Sequence, residues 1–99
     1  MEDNISLVKK QLSTVIDPDM EIDIVNLGLI YDVELNGTTC DVTMTMPTRS
    51  CRYGESIVQT VIKSVEALDF IDKCNLKMVW EPVWTKDRMT KIARLSLGV

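Results

Sequence analysis

The run LIYDVELNGTTCDVTMTM, residues 29–46, decides the fold. Asn36-Gly37 stands between two alternating segments, the signature of a β-hairpin closed by a two-residue turn. The first segment reads as a strand over residues 29–35 and its partner as a strand over 38–46. A turn centred on Asn36-Gly37 pairs Val33 with Cys40, Tyr31 with Val42 and Leu29 with Met44 on one face. The other face then carries Glu34 opposite Thr39, Asp32 opposite Asp41 and Ile30 opposite Thr43. One face is apolar and the other mostly polar, so helices are expected on one side only. The Asp32–Asp41 pair is a small like-charge penalty.

Upstream, Asp3 or Asn4 can cap a helix that carries Ile5, Val8, Leu12 and Val15 at helical spacing. Asp17-Pro18-Asp19 ends it, because the residue before a proline disfavours helical backbone. A loop with Ile22, Ile24, Val25 and Leu27 leads through Gly28 into the hairpin. Downstream, a second helix carries Ile57, Val58, Val61, Ile62, Val65 and Leu68 as one stripe. A third strand over residues 73–80 places Cys74, Leu76, Met78 and Trp80 on one side, and Glu81-Pro82 breaks it. Thr85 can cap a last helix through Met89, Ile92 and Ala93, with Gly98 where a C-terminal glycine belongs.

The order is therefore αββαβα, an α+β two-layer domain with a small three-stranded mixed sheet covered by helices on one face. A right-handed crossover makes the second and third strands parallel, and the first antiparallel to both. The loops 17–28, 47–51 and 81–85 then gather at one end of the sheet. The hairpin turn, Cys40 and Cys74 lie at the other.

The 99 residues suit one domain, residues 1–99. A net charge of −4 and the lack of a basic block argue against nucleic-acid binding. No apolar run approaches the ~20 residues that span a membrane. A cytoplasmic protein is expected. Three cysteines, an odd number, do not make a disulfide framework. With no histidine, the commonest general base is missing, and no nucleophile–base pair stands out. The chain does not read as a turnover enzyme.

Cys51 is the sulfur to weigh. It precedes the second helix, where unpaired N–H groups and the helix dipole favour a thiolate, and Arg49 and Arg52 push the same way. That makes it a reactive or metal-binding thiol. A small buried residue at a turn is the other reading, and local sequence leaves both open.

Three segments carry a family resemblance: DPDMEIDIVNLGLIYDV, MTMPTRSC and WEPVWTKDRMTKIARLSLG. In this order, from Thr14 to Val99, the chain resembles the SufT/PaaD-like family of iron–sulfur cluster assembly domains, which has relatives in the eukaryotic cytosolic machinery. The resemblance implies an αββαβα domain that assists cluster assembly, transfer or protein maturation. Position by position, the family's Asp-Pro-Glu motif falls on Asp17, Pro18 and Asp19. Its threonine-rich strand end falls on Thr43, Thr45 and Thr48, its cysteine on Cys51, and its tryptophan-rich segment on Trp80, Pro82, Trp84 and Thr85. The chain departs from the pattern at Glu21 and Ser50, where the family has glycine, at Pro47, where it has threonine, and at Arg52, where it has proline.

The resemblance makes Cys51 an iron ligand or docking point, with Asp17, Thr45 and Thr48 beside it and Trp84, Asp19 and Arg52 as partner contacts. A cluster wants about four thiolate-type ligands, and one chain offers one at that end. Cys40 lies some 20 Å along the strand at ~3.3 Å per residue and cannot join Cys51. Either two chains share a transient cluster as a homodimer, or the protein is an adaptor for assembly or carrier proteins and client apo-proteins. Asp17 and Asp19 also fit plain turn and helix-stop roles, and Trp80 and Trp84 plain packing. Cys40, Cys74 and the methionines read as core. The alternatives to an accessory maturation factor are a thiol redox protein using Cys51 and a non-catalytic subunit of a larger complex.

Overall fold

A computed structural model describes residues 3–18, 20–47 and 54–98. The elements follow the expected order: α1 (Asn4–Leu12), β1 (Ile30–Asn36), β2 (Thr39–Met44), α2 (Gly54–Glu66), β3 (Lys73–Met78), a short 3-10 turn (Lys86–Arg88) and α3 (Lys91–Leu97). The sheet order is β1-β2-β3, with β1 antiparallel and β3 parallel to β2. This is the mixed α+β sheet that the crossover argument requires.

Burial explains the layering. Cys40, Val42 and Met44 alternate into the core from β2, while Thr39, Asp41 and Thr43 stay part-exposed on the open face. Val8 and Leu12 from α1, and Ile57, Val61 and Val65 from α2, cover that apolar face. α1 packs on β1 and on α2, and α2 packs on β3. The 17–28 loop adds Ile24 and Leu27, both fully buried, to the same cluster.

The hairpin register differs from the expected one by one step of the turn. Asn36 pairs with Thr39, Leu35 with Cys40, Glu34 with Asp41, Val33 with Val42 and Asp32 with Thr43. The turn residues are therefore Gly37 and Thr38. Gly37 has φ +63°, and Asn36 is not in the left-handed region. Glycine at the first turn position is the type II′ pattern, whereas an Asn-Gly turn favours type I′. The apolar face survives because Val33 keeps its side, and a bulge at Tyr31 then resets the strand so that Ile30 faces Met44. The acidic pair across the strands becomes Glu34–Asp41. Amide groups of Asn36 and Asn75 donate to Asp41 at 3.1 Å each and offset the repulsion.

Three boundaries also move. α1 stops at Leu12, because Val15 leaves the helix to exchange backbone contacts with the next loop, accepting the Ile24 N–H at 3.0 Å. The third strand ends at Met78, before Trp80. The last helix does not start at Thr85, whose side chain caps nothing. It starts after Thr90, which accepts the Ala93 N–H and donates to the Asn26 side chain at 2.8 Å. A tertiary anchor on the 17–28 loop thus sets that boundary, with Met89 extended between the two helical pieces. Asp3 caps α1 through the Ser6 N–H, and Gly98 closes α3 at φ +73°, as expected.

Candidate functional site

Parallel neighbours leave a sheet on the same side, so the segments after β2 and β3 diverge from a common edge. Between them lies a cavity of about 230 Å³. Thr45, Met46 and Pro47 form one wall as β2 exits, and Trp80, Glu81, Val83 and Trp84 form the other as β3 exits. Thr45 is 1% exposed, with its hydroxyl turned to the Met46 carbonyl at 3.5 Å. Its backbone N–H donates to the Leu29 carbonyl at 2.9 Å, so the residue just before β1 fixes the wall from the far side. Trp84 is pinned by its indole N–H, which donates to the Leu27 carbonyl at 2.8 Å. This bond ties the 81–85 loop to the 17–28 loop, and both lie at the end of the sheet where β2 exits at Pro47, as the topology demands.

The 17–28 loop is built from two carboxylate turns. Asp17, 2% exposed, accepts the Met20 N–H at 3.1 Å, while its own N–H donates to Ile22 and its carbonyl accepts from Glu21. Asp23 accepts the Val25 and Asn26 N–H groups and the Asn26 side-chain amide. Short acidic side chains do this because they mimic a backbone turn. Asp17 therefore shapes the loop, and it is not among the described residues that line the cavity. Glu21 sits at φ +58°, the conformation that glycine adopts without a steric penalty.

Of the residues expected at the site, Thr45 and Trp84 share the cavity, and Trp80 joins them. Cys51, Thr48, Arg52 and Asp19 lie outside the described residues. Pro47, the last described residue before that segment, lines the cavity four positions ahead of Cys51. Cys40 and Cys74 are buried at the opposite end, facing each other in register across β2 and β3. Burial pushes both thiols up, Cys74 to about 12, with Cys40, Glu66 and Asp41 adding to the effect at Cys74. They are core thiols held neutral. Among the described residues no group of three histidine, cysteine or acidic side chains is placed to hold a metal ion.

Glu81, Val83 and Leu27 were not expected at the site from the sequence. Glu81 and Val83 could be found from the tryptophan-rich segment, since they sit between its two indoles. Leu27 contributes only a carbonyl, which no side-chain pattern reveals.

The profile described as iron–sulfur cluster assembly protein matches residues 6–77. The chain is 41% identical over 86 residues to the Fe-S protein maturation auxiliary factor SufT of Staphylococcus aureus, covering 86% of this chain and 98% of that protein. It is 39% identical over 90 residues to the Fe-S protein maturation auxiliary factor YitW of Bacillus subtilis, covering 89% and 87%. A crystal structure from Bacillus anthracis, described as a domain of unknown function DUF59, superposes with a TM-score of 0.91 at 35% identity, covering 95% of this chain and 91% of that one. The profile takes in α1, the hairpin, α2 and nearly all of β3, the elements that build the cavity's frame, and the chain belongs to the iron–sulfur cluster assembly protein family.

Proposed function

We propose that the protein is an accessory factor in iron–sulfur protein maturation, acting through Cys51, four positions along the chain from Pro47 of the cavity that Thr45 and Trp84 share. The observation that carries this reading is the near full-length match to two Fe-S protein maturation auxiliary factors at about 40% identity. The cluster is cargo here, and its ligands are incomplete in one chain. Cys40 and Cys74 are buried, so Cys51 is the one thiol left for it, against the roughly four ligands a cluster takes. A cluster held by Cys51 would be completed by a second copy, a small thiol or a partner protein. An adaptor would instead dock assembly or carrier proteins and client apo-proteins without holding the cluster. Either role is accessory and neither needs a catalytic turnover site.

Anaerobic reconstitution with iron and sulfide, followed by transfer to a purified client apo-protein, tests the reading. Cys51→Ser keeps a hydroxyl and the fold but removes the soft sulfur. Loss of transfer is expected. Charge-transfer absorption with a shift to dimer in wild type, absent in the variant, assigns the sulfur as ligand. Partner-dependent transfer without absorption assigns the adaptor role. A fully active Cys51→Ser protein would remove the proposal.

A further inference from the structure

The cavity between the exits of β2 and β3 opens to solvent. Glu81 and Val83 are exposed at its rim, and Trp80 and Trp84 are half-buried in its wall. At about 230 Å³ it is smaller than the ~300–1,000 Å³ pockets that hold small molecules and cofactors, so it suits one long side chain.

The charge of the lining has one sign. Glu81 is the ionic side chain among the residues that line the cavity, and no lysine or arginine lines it. Among the described residues, no cation forms an ion pair with the Glu81 carboxylate. Two donors of the wall are engaged elsewhere. The Trp84 indole N–H donates to the Leu27 carbonyl at 2.8 Å, and the Thr45 hydroxyl turns to the Met46 carbonyl at 3.5 Å. An anionic guest would therefore meet a carboxylate with no cation to offset it.

A cationic guest meets the opposite situation. Indole rings attract a cation placed against their π surface, tryptophan more than any other aromatic side chain. A neighbouring carboxylate adds charge-assisted hydrogen bonds, and a planar guanidinium can both stack on a ring and bond a carboxylate as a fork. Pro47 and Val83, the apolar parts of the lining, can cover the methylene stem that carries such a head. The net charge of −4 also draws a basic partner from a distance.

We propose that this cavity receives an arginine side chain of a partner protein, with its guanidinium against Trp80 and Trp84 and bonded to Glu81. The cavity is then a docking socket, and a thiolate-ligated cluster, which is anionic, stays outside it. The inference rests on the reading of the chain as an accessory factor that contacts partners, and it names the chemistry by which a partner is gripped.

The chain has two tryptophans, so its indole N–H groups give two signals in a proton–nitrogen NMR correlation spectrum. Titrating the wild-type chain with N-acetyl-arginine methylamide at constant ionic strength should shift both, with a Kd of about 10 mM or tighter for so small a probe. N-acetyl-citrulline methylamide, the uncharged isostere, and N-acetyl-norleucine methylamide, an apolar chain, should bind at least about fivefold more weakly. Glu81→Gln, a near-isosteric change at an exposed position, should weaken the arginine probe about fivefold. Three results would overturn the proposal. They are no saturable indole shift at about 100 mM arginine probe, equal binding of the norleucine probe, or unchanged affinity in Glu81→Gln. Cys51→Ser should leave these titrations as they are while removing cluster transfer, so the socket and the sulfur can each fail alone.

Discussion

β2 runs between two ends of opposite character. At its start Cys40 lies beside Cys74 under both helices, dry, neutral and pushed up in pKa by burial. At its exit Thr45 and Pro47 open into a cavity walled by two tryptophans, and the chain goes on to Cys51. The same residue type is core filler at one end and the candidate for chemistry at the other. What separates the two ends of β2 is whether helices or loops stand over the sheet, which topology decides and composition does not.

The largest expected difference between the two ends is functional. Cys51→Ser should abolish client maturation with little change in circular dichroism or melting temperature, whereas Cys40→Ala should retain maturation. If Cys40→Ala loses transfer while staying folded, the division between the ends fails.

Next in size is the joint beneath the cavity. Gly28 has φ +77°, and a side-chain carbon there would run into the Arg88 carbonyl. Gly28→Ala should therefore lose about 3 kcal/mol, combining backbone strain with a clash against main chain. Urea unfolding monitored by tryptophan fluorescence reads it, and a loss below about 1 kcal/mol would mean that the 81–88 segment yields easily.

The buried end should respond more modestly. Cys40→Ala is expected to lose about 1 kcal/mol for one small apolar group. Cys74 also gives that end a pH signature. Its folded value is raised from 9.0 to about 12, so the stability it contributes is complete below about pH 9 and is lost as pH rises towards 12. Cys74→Ala should flatten that part of the alkaline stability curve. Native labelling at pH 8 should modify neither Cys40 nor Cys74.

The smallest effect belongs to Glu21. Glycine there should stabilise the chain by about 0.5–1 kcal/mol, since φ +58° is strained for a residue with a Cβ. A destabilising Glu21→Gly would show that the side chain has contacts that outweigh the strain.

Much of the frame was legible because its signals are local or periodic. The hairpin, the stripe of α2 and the right-handed crossover follow from alternation, helical spacing and handedness, and they correctly put Thr45 and Trp84 at one end. The turn was misplaced by one residue because Asn-Gly and Gly-Thr are both two-residue turn signals, and the φ values that separate them are set by the whole sheet. The start of α3 was missed because Thr85 and Thr90 are equal caps on paper. Only the Asn26 contacts, 64 residues away along the chain, favour Thr90. Asp17 was read either as a turn residue or as a ligand, and its described bonds are those of a turn.

The two ladders of the sheet also differ in how they can assemble. The β1–β2 hairpin closes a loop of two residues, while every β2–β3 pair joins positions 34 apart. Nearby pairs form early and distant ones late, because a long loop must close before any contact rewards it. During synthesis the hairpin can therefore exist with one side of β2 bare, until α2 and β3 have emerged and docked. Cys40 is open to solvent through that interval, and Cys74 from the time β3 emerges until it docks. A nascent or refolding chain thus adds Cys40 and Cys74, both buried in the finished protein, to its oxidisable thiols, and a reducing refolding buffer should matter more for yield than for storage.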